Sequence, residues 1–281
     1  MIDIQAGVAQ WRDQGRAAYQ HLGYSPALSA DPISHAWALH MLGLPEAHPV
    51  LELGLGRMVI RTEIPTHVAL TGAFRAELNE QALGGEFAIE LLPGQELRLT
   101  CRAGRFGYLA IARDIELPKH RGSVATLARE GFNYAEPRFG AALPVELAAR
   151  PQYTQQGPIR YLPTYEHDNF SESVIAHFET QVWQIDPASD SMGLRLLGEA
   201  INHQIELEYS TPLAMGAIQW PSGGVPMVMA GAHQSIGGYP RIGCVLPDQL
   251  ARLAQWPQRE PLQFVATDWP DALRRLKRAL P

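Results

Sequence analysis

The chain has 281 residues and a mass of 31.0 kDa, enough for one large domain or two modest ones with a real apolar core. Apolar residues make up 46% of it and charged residues 19%, a balance that excludes a disordered chain. A net charge of -6 and a pI near 5.9 argue against non-specific nucleic-acid binding, which needs a basic face, and no run of 18 apolar residues is present to cross a membrane.

The first residues, MIDIQAGVAQWRDQGR, lack the basic start and apolar run of a signal peptide, so a cytoplasmic location is expected. Asp31 before Pro32 reads as a helix cap followed by a first-turn proline, and Gly43 suits the far end. Ile33, Trp37 and Met41 recur at helical spacing between them, which predicts a helix over 32–42. Strands follow at 68–70 and 87–92, the second closed by the turn pair Pro93-Gly94. Glu96, Arg98 and Thr100 alternate with Leu97, Leu99 and Cys101, the period of a half-buried strand, and Ala103-Gly104-Arg105 is expected to turn the chain into a strand over 108–112. Residues 131–158 are rich in Pro, Ala, Gln and Gly without periodicity and are taken as a linker between two β-rich halves, 1–130 and 159–281.

In the second half Ser171 is placed to cap a helix carrying Val174, Ile175 and Phe178 on one face. Short strands are predicted at 182–185, 194–197, 205–209, 216–220, 225–229 and 242–246. Asp248 opens a third helix with Leu250, Leu253 and Ala254 inward. A last helix over 270–280 aligns Leu273, Leu276 and Leu280 and leaves Arg274, Arg275, Lys277 and Arg278 in water. With 25 glycines and 22 prolines to supply turns, the pattern is mainly β, of barrel or sandwich type, with a few short helices.

Several motifs are weighed for chemistry. Leu53-Gly54-Leu55-Gly56-Arg57 begins like a dinucleotide fingerprint, but Val59 takes the place of the third glycine and a strand-like run follows. No P-loop and no HExxH occurs among the ten histidines, so neither a nucleotide nor a metal site is expected in this chain. Cys101 and Cys244, far apart, read as buried reduced thiols. Glu166, His167 and Asp168 offer acid–base groups, although a solvated loop leading to Ser171 accounts for them more simply. Two segments are denser in unusual residues. One is 10–16, which brings Asp13, Gly15 and Arg16 together. The other is 215–243, where Gln219 ends an apolar run and His233-Gln234 precede Gly237-Gly238-Tyr239. Paired glycines admit close backbone approach to a ligand, or simply make a tight hairpin, and chemistry alone leaves both open.

At this second segment the sequence resembles a known family. SDSMGLRL at 189–196 resembles the motif SDRMGxRL, and HQSIGGYPRIG at 233–243 resembles RQTTGGYPxIG. AIQWPSGGVPMVM at 217–229 resembles the strand, turn and strand between those motifs. RDQGR at 12–16, VALTGA at 68–73, and YLAIA at 108–112 with the later Gly122-Ser123 match further boxes in order. The family is that of KipA-type proteins, the C subunits of 5-oxoprolinase (PxpC), also called allophanate hydrolase subunit 2 and similar to part of the carboxyltransferase region of urea carboxylase. Departures fall on charged and glycine positions: Ser191 stands for Arg, Gly231-Ala232-His233 for Ala-Asp-Arg, Ser235-Ile236 for a Thr pair, and Arg113-Asp114 for Gly-Gly.

The resemblance implies two β-barrel subdomains, cyclophilin-like, and work in a hetero-oligomer. Its expected partners are a KipI-like B subunit together with an A subunit, which convert 5-oxoproline to glutamate with ATP bound on a partner. The substrate is then a small amide. The site expected from it comprises Gln219, His233, Gln234, Gly237, Gly238 and Tyr239, with Asp13 and Arg16 from the first half, acting by positioning and electrostatics. No nucleophile, general base or metal is assigned. Two alternatives remain: a non-catalytic regulatory protein that binds a KipI-like partner, and a carboxyltransferase acting with a separate biotin carrier.

Overall fold

The computed structural model describes residues 2–6, 9–54, 56–101, 106–124, 138–143, 157–257 and 259–279, with the backbone alone at 2–6, 101, 276, 278 and 279. The fold is mainly β, built on curled half-barrel sheets. It divides into two compact units, residues 1–16 with 27–152 and residues 17–26 with 153–280. Most of the expected linker at 131–158, the turn at 103–105 and the side chain of Cys101 lie outside the described residues.

The first unit contains β1 (Ile2–Ala6), β2 (Ala9–Arg12), β3 (Val50–Leu53), β4 (Gly56–Thr62), β5 (Thr66–Gly72), β6 (Arg75–Leu78), β7 (Gln81–Leu83), β8 (Phe87–Leu91), β9 (Leu97–Cys101), β10 (Gly107–Ile111), β11 (Arg113–Glu116) and β12 (Arg138–Ala142). They form two antiparallel five-stranded sheets, β1-β4-β9-β6-β7 and β2-β3-β10-β5-β8, and the ribbon β11-β12. Leu97 and Leu99 of β9 turn inward while Arg98 is exposed, the alternation read from the sequence. They meet Met58 and Ile60 of their own sheet and Leu51, Leu70, Phe87 and Leu109 of the other in one apolar cluster. The LGLGR run leads into β4 rather than a helix.

Helix α1 (Pro32–His40) forms where its punctuation sits, two residues shorter than expected. Asp31 Oδ1 accepts from the amides of Ile33 and Ser34, and Oδ2 accepts the Ser34 hydroxyl, satisfying the open first turn. A buried carboxylate fixes this end to the sheet. Glu52 of β3 accepts from Arg12 Nε at 2.9 Å, Tyr108 OH at 2.9 Å and the Ala30 amide at 2.8 Å. Tyr108 OH in turn accepts from the Asp31 amide.

The second unit contains β13 (Ile159–Pro163), α2 (Glu172–Thr180), β14 (Gln184–Ile185), β15 (Gly193–Leu197), β16 (Thr211–Pro212), β17 (Ala217–Gln219), β18 (Met227–Met229), β19 (Ile236–Gly237), β20 (Arg241–Val245), α3 (Pro247–Ala254), β21 (Phe264–Ala266) and α4 (Trp269–Ala279). Seven strands form one sheet in the order β14-β15-β18-β17-β20-β13-β21, antiparallel except for the β13-β21 pair, and β16 pairs with β19. Its core is aromatic: Phe178 of α2 stacks on Phe264 at 4.9 Å and packs against Trp183, Trp220 and Tyr161. Ser171 caps α2 through the Val174 amide as expected. Helix α3 begins one residue before Asp248, at Pro247, with Leu250, Leu253 and Ala254 buried. The expected strand at 205–209 is absent. His203 accepts the Ile205 amide on Nδ1 and bonds the Trp220 carbonyl through Nε2, so a side chain holds this segment where a ladder was expected.

Candidate functional site

The chain around Gln219 is shaped by a bulge. β17 and β20 lose register between Ile218 and Gln219, so that Gln219 lies opposite Arg241. A bulge re-aims a side chain, and here the carboxamide of Gln219 is buried at 2% exposure. A methyl group on the α-carbon of Gly237 would stand 2.3 Å from Gln219 Nε2 and 2.9 Å from Leu213 Cδ1, so any side chain at 237 would displace the amide from its present place. Gly237 pairs with Thr211 across the β16-β19 ribbon. Among the described residues, neither Gln219 Nε2 nor Thr211 Oγ1 has a hydrogen-bond partner, although both atoms are buried. A buried unsatisfied donor is costly and therefore informative about what the site is built to meet.

This ribbon is held from below by an ion pair. Arg241 Nη2 donates to Glu166 Oε1 at 2.5 Å, and its Nε and backbone amide donate to Oε2 at 3.2 and 2.6 Å. Arg241 Nη1 donates to the Pro212 carbonyl at 2.7 Å, tying β16 to β20, and Nη2 also donates to Tyr165 OH. Burial alone would raise the Glu166 carboxyl, but the hydrogen bonds of Arg241 and Tyr165 and the guanidinium charge hold it below the usual glutamate value. Glu166 is thus an anchor within the polar cluster noted in the sequence. Its neighbour Asp168 is exposed, and His167 Nε2 is buried without a partner among the described residues.

His233 is buried at 1% exposure, with Nδ1 2.6 Å from the Gln234 carbonyl. Burial lowers its pKa against the opposing pull of that carbonyl, which favours the uncharged ring. Gln234, Gly238 and Tyr239 are exposed, Tyr239 at 49%. The loop before His233 pairs with the other motif: the amides of Ala230 and Ala232 donate to the carbonyls of Met192 and Ser191. Asp190 Oδ1 closes that motif's turn by accepting from the Met192 and Gly193 amides. Ser191 and His233, two departures from the family pattern, therefore flank one backbone pairing.

Asp13 and Arg16 belong to the first unit. Asp13 Oδ1 accepts from the Gly15 amide at 2.9 Å and the Ser123 hydroxyl at 2.6 Å, and Oδ2 accepts from the Val124 amide at 2.9 Å. Arg16 Nη1 donates to the His120 carbonyl at 3.2 Å. Both tie the first box of the sequence to the turn carrying Gly122-Ser123. Among the described residues, no group of three or more His, Cys, Asp or Glu side chains could hold a metal ion, and no helix is long and apolar enough to cross a membrane.

Sequence reasoning singled out Gln219 and Gly237 and missed Thr211 and the Glu166–Arg241 pair. The available signal was Arg241 itself, a charge in an otherwise apolar strand that needed a buried partner. Beside Gly237, Gln219 Nε2 and Thr211 Oγ1 are the groups that can donate hydrogen bonds to a carbonyl or carboxylate and fix its orientation.

Residues 22–266 match the carboxyltransferase domain, subdomain A and B. The C subunit of the 5-oxoprolinase of Escherichia coli strain K12 is 31% identical over 286 residues, covering 96% of this chain and 92% of its own length. The urea amidolyase of Lachancea kluyveri is 25% identical over 94% of this chain but 16% of its own length. Among solved structures, TTHA0988 superposes with a TM-score of 0.83 at 24% identity, covering 94% of this chain and 55% of that one. The Kluyveromyces lactis urea amidolyase superposes with a TM-score of 0.83 at 21% identity, over 98% of this chain and 19% of that one. The chain spans about half or less of the length of these two solved structures, and at such identities it shares their fold.

Proposed function

This chain belongs to the carboxyltransferase-domain family, and we propose that it is the KipA-type C subunit of an ATP-dependent 5-oxoprolinase. The observation that carries this reading is the correspondence with the Escherichia coli protein over nearly the whole of both chains. A KipI-like B subunit together with an A subunit then completes the enzyme and binds ATP, and 5-oxoproline, a small cyclic amide, is converted to glutamate. On this reading the Gln219 carboxamide donates to an oxygen of the substrate or of its charged intermediate, with Gly237 making the space and Arg241 holding the ribbon in place. Gln234, Gly238 and Tyr239 supply the exposed rim. His233, buried and bonded to the Gln234 carbonyl, positions the loop.

The test replaces Gln219 and Tyr239 by Ala in the reconstituted complex. A loss of kcat/KM of tenfold or more for Gln219→Ala, on the scale of one lost charge-assisted hydrogen bond, supports the site. Unchanged turnover in both variants removes it.

A second reading has one observation in its favour. Ser191 and His233 replace two arginines of the family pattern, and the Ser191 carbonyl accepts from the amide of Ala232, next to His233, so both lost cations fall in one place. A chain that binds a KipI-like partner and modulates it would tolerate that loss of cations. The two readings separate on whether adding this chain changes turnover or only partner occupancy.

A further inference from the structure

A cavity of about 330 Å³ opens in the first unit beside the start of α1. Leu28, Leu39 and Leu44 give it an apolar wall, and Asp13, Ser29, His35, His40 and Glu46 give it a polar one. Among the described residues, no Lys or Arg lines it. His35, one turn into α1 and 8% exposed, is held by Ser29, whose Oγ lies 2.5 Å from His35 Nδ1. Its other nitrogen, Nε2, makes no hydrogen bond among the described residues. Burial lowers the His35 pKa to about 4, against the pull of Glu52 and Asp13, so the ring enters the cavity wall uncharged at neutral pH. Glu46 lines the same cavity, and one of its oxygens accepts from Gln14 Nε2 at 3.0 Å, leaving the second oxygen for a ligand. The wall therefore presents the Glu46 carboxylate and the uncharged His35 imidazole, and among the described residues it has no Lys or Arg to receive an anion.

We propose that this cavity binds a small organic cation, an ammonium or amidinium group on a compact apolar body, seated between the Glu46 carboxylate and the His35 imidazole. The cation donates N–H bonds to Glu46 and to His35 Nε2. It selects the tautomer in which Nδ1–H donates to Ser29 Oγ and Nε2 accepts. Its hydrocarbon part covers the leucine wall, and the cavity volume lies in the range of ordinary small-molecule sites. The proposal stands on residues of the first unit alone and does not depend on the reaction assigned above.

The experiment titrates benzylammonium, benzyl alcohol and benzoate into the full-length protein at pH 7.5, following the His35 side chain by NMR and the heat by calorimetry. Benzylammonium is expected to bind at least about tenfold more tightly than benzyl alcohol while benzoate does not bind, a difference worth about 1.4 kcal/mol. Glu46→Gln, at an exposed position, is expected to remove that preference, and Ala36→Phe to fill the cavity and abolish binding, both with the thermal transition retained. Benzoate binding as well as benzylammonium, no binding by any of the three, or benzylammonium binding unchanged in both variants overturns the proposal.

Discussion

Gly237 and Gln219 share a space that admits one of them without a side chain: a methyl group on Gly237 would stand 2.3 Å from Gln219 Nε2. Gly237→Ala is therefore expected to destabilise the chain by roughly 1–3 kcal/mol, the usual cost of overpacking a closed site. Because the clash is mainly with one amide, truncating that amide gives relief. In the double variant Gly237→Ala with Gln219→Ala, urea midpoints are expected to show a coupling of about 1 kcal/mol or more. Strict additivity would mean that the two residues do not compete for this space.

The Glu166–Arg241 pair yields a second expectation. Removing one partner of a buried ion pair leaves the other charge uncompensated, so Glu166→Gln is expected to cost on the order of 3 kcal/mol at pH 7. The sign with pH follows from the lowered Glu166 value. Its stabilisation is complete above the ordinary glutamate pKa of 4.5 and is lost as pH falls through the lower folded value. Acid unfolding of the wild-type chain should steepen below pH 4.5, and the Gln variant should lack that added slope. Superimposable acid limbs would contradict the role given to Glu166.

His35 sets a third, at milder pH. Its folded pKa lies near 4 against 6.5 unfolded, so the unfolded chain takes up a proton first as pH falls. Stability is expected to be unaffected above pH 6.5 and to decline by on the order of 3 kcal/mol towards pH 4. Replacing His35 by Gln should flatten urea stability between pH 6.5 and 5, which two denaturation series would establish.

Asp31 offers a local test. It supplies three hydrogen bonds at the start of α1, two of them to open backbone amides, and Asp31→Ala is expected to cost about 1–2 kcal/mol in thermal or urea unfolding. Asp31→Asn, which keeps an acceptor, should recover much of that.

The elements legible in the sequence are those whose signals are local. Asp31-Pro32 marked α1, Ser171 marked α2, and the alternation through Leu97 and Leu99 marked β9, because each depends on residues within a few positions. Residues 205–209 looked like a strand and are not one, since His203 takes the Ile205 amide, a competition that hydrophobic periodicity does not register. Gln219 and the two glycines could be singled out as a polar residue ending an apolar run and a pair of flexible positions. Their mutual fit could not, because it arises from a bulge between β17 and β20. Glu166 and Arg241 are 75 positions apart, so only the fold reveals that the acidic residue in a polar loop is the counter-charge of the signature strand. The cavity beside α1 gathers residues from 13–14 and 28–46, and no spacing rule joins Ser29, His35 and Glu46.

The most direct measurement of the proposed function is 5-oxoproline-dependent ATP hydrolysis by the KipI-like B subunit with the A subunit of the same organism, in the presence and absence of this chain, after co-purification of all three. The assignment requires the chain to co-purify in near-equal amount and glutamate formation coupled to ATP hydrolysis to depend on its presence. Glutamate formation by the other two proteins alone, or a chain that elutes without either of them, would contradict it.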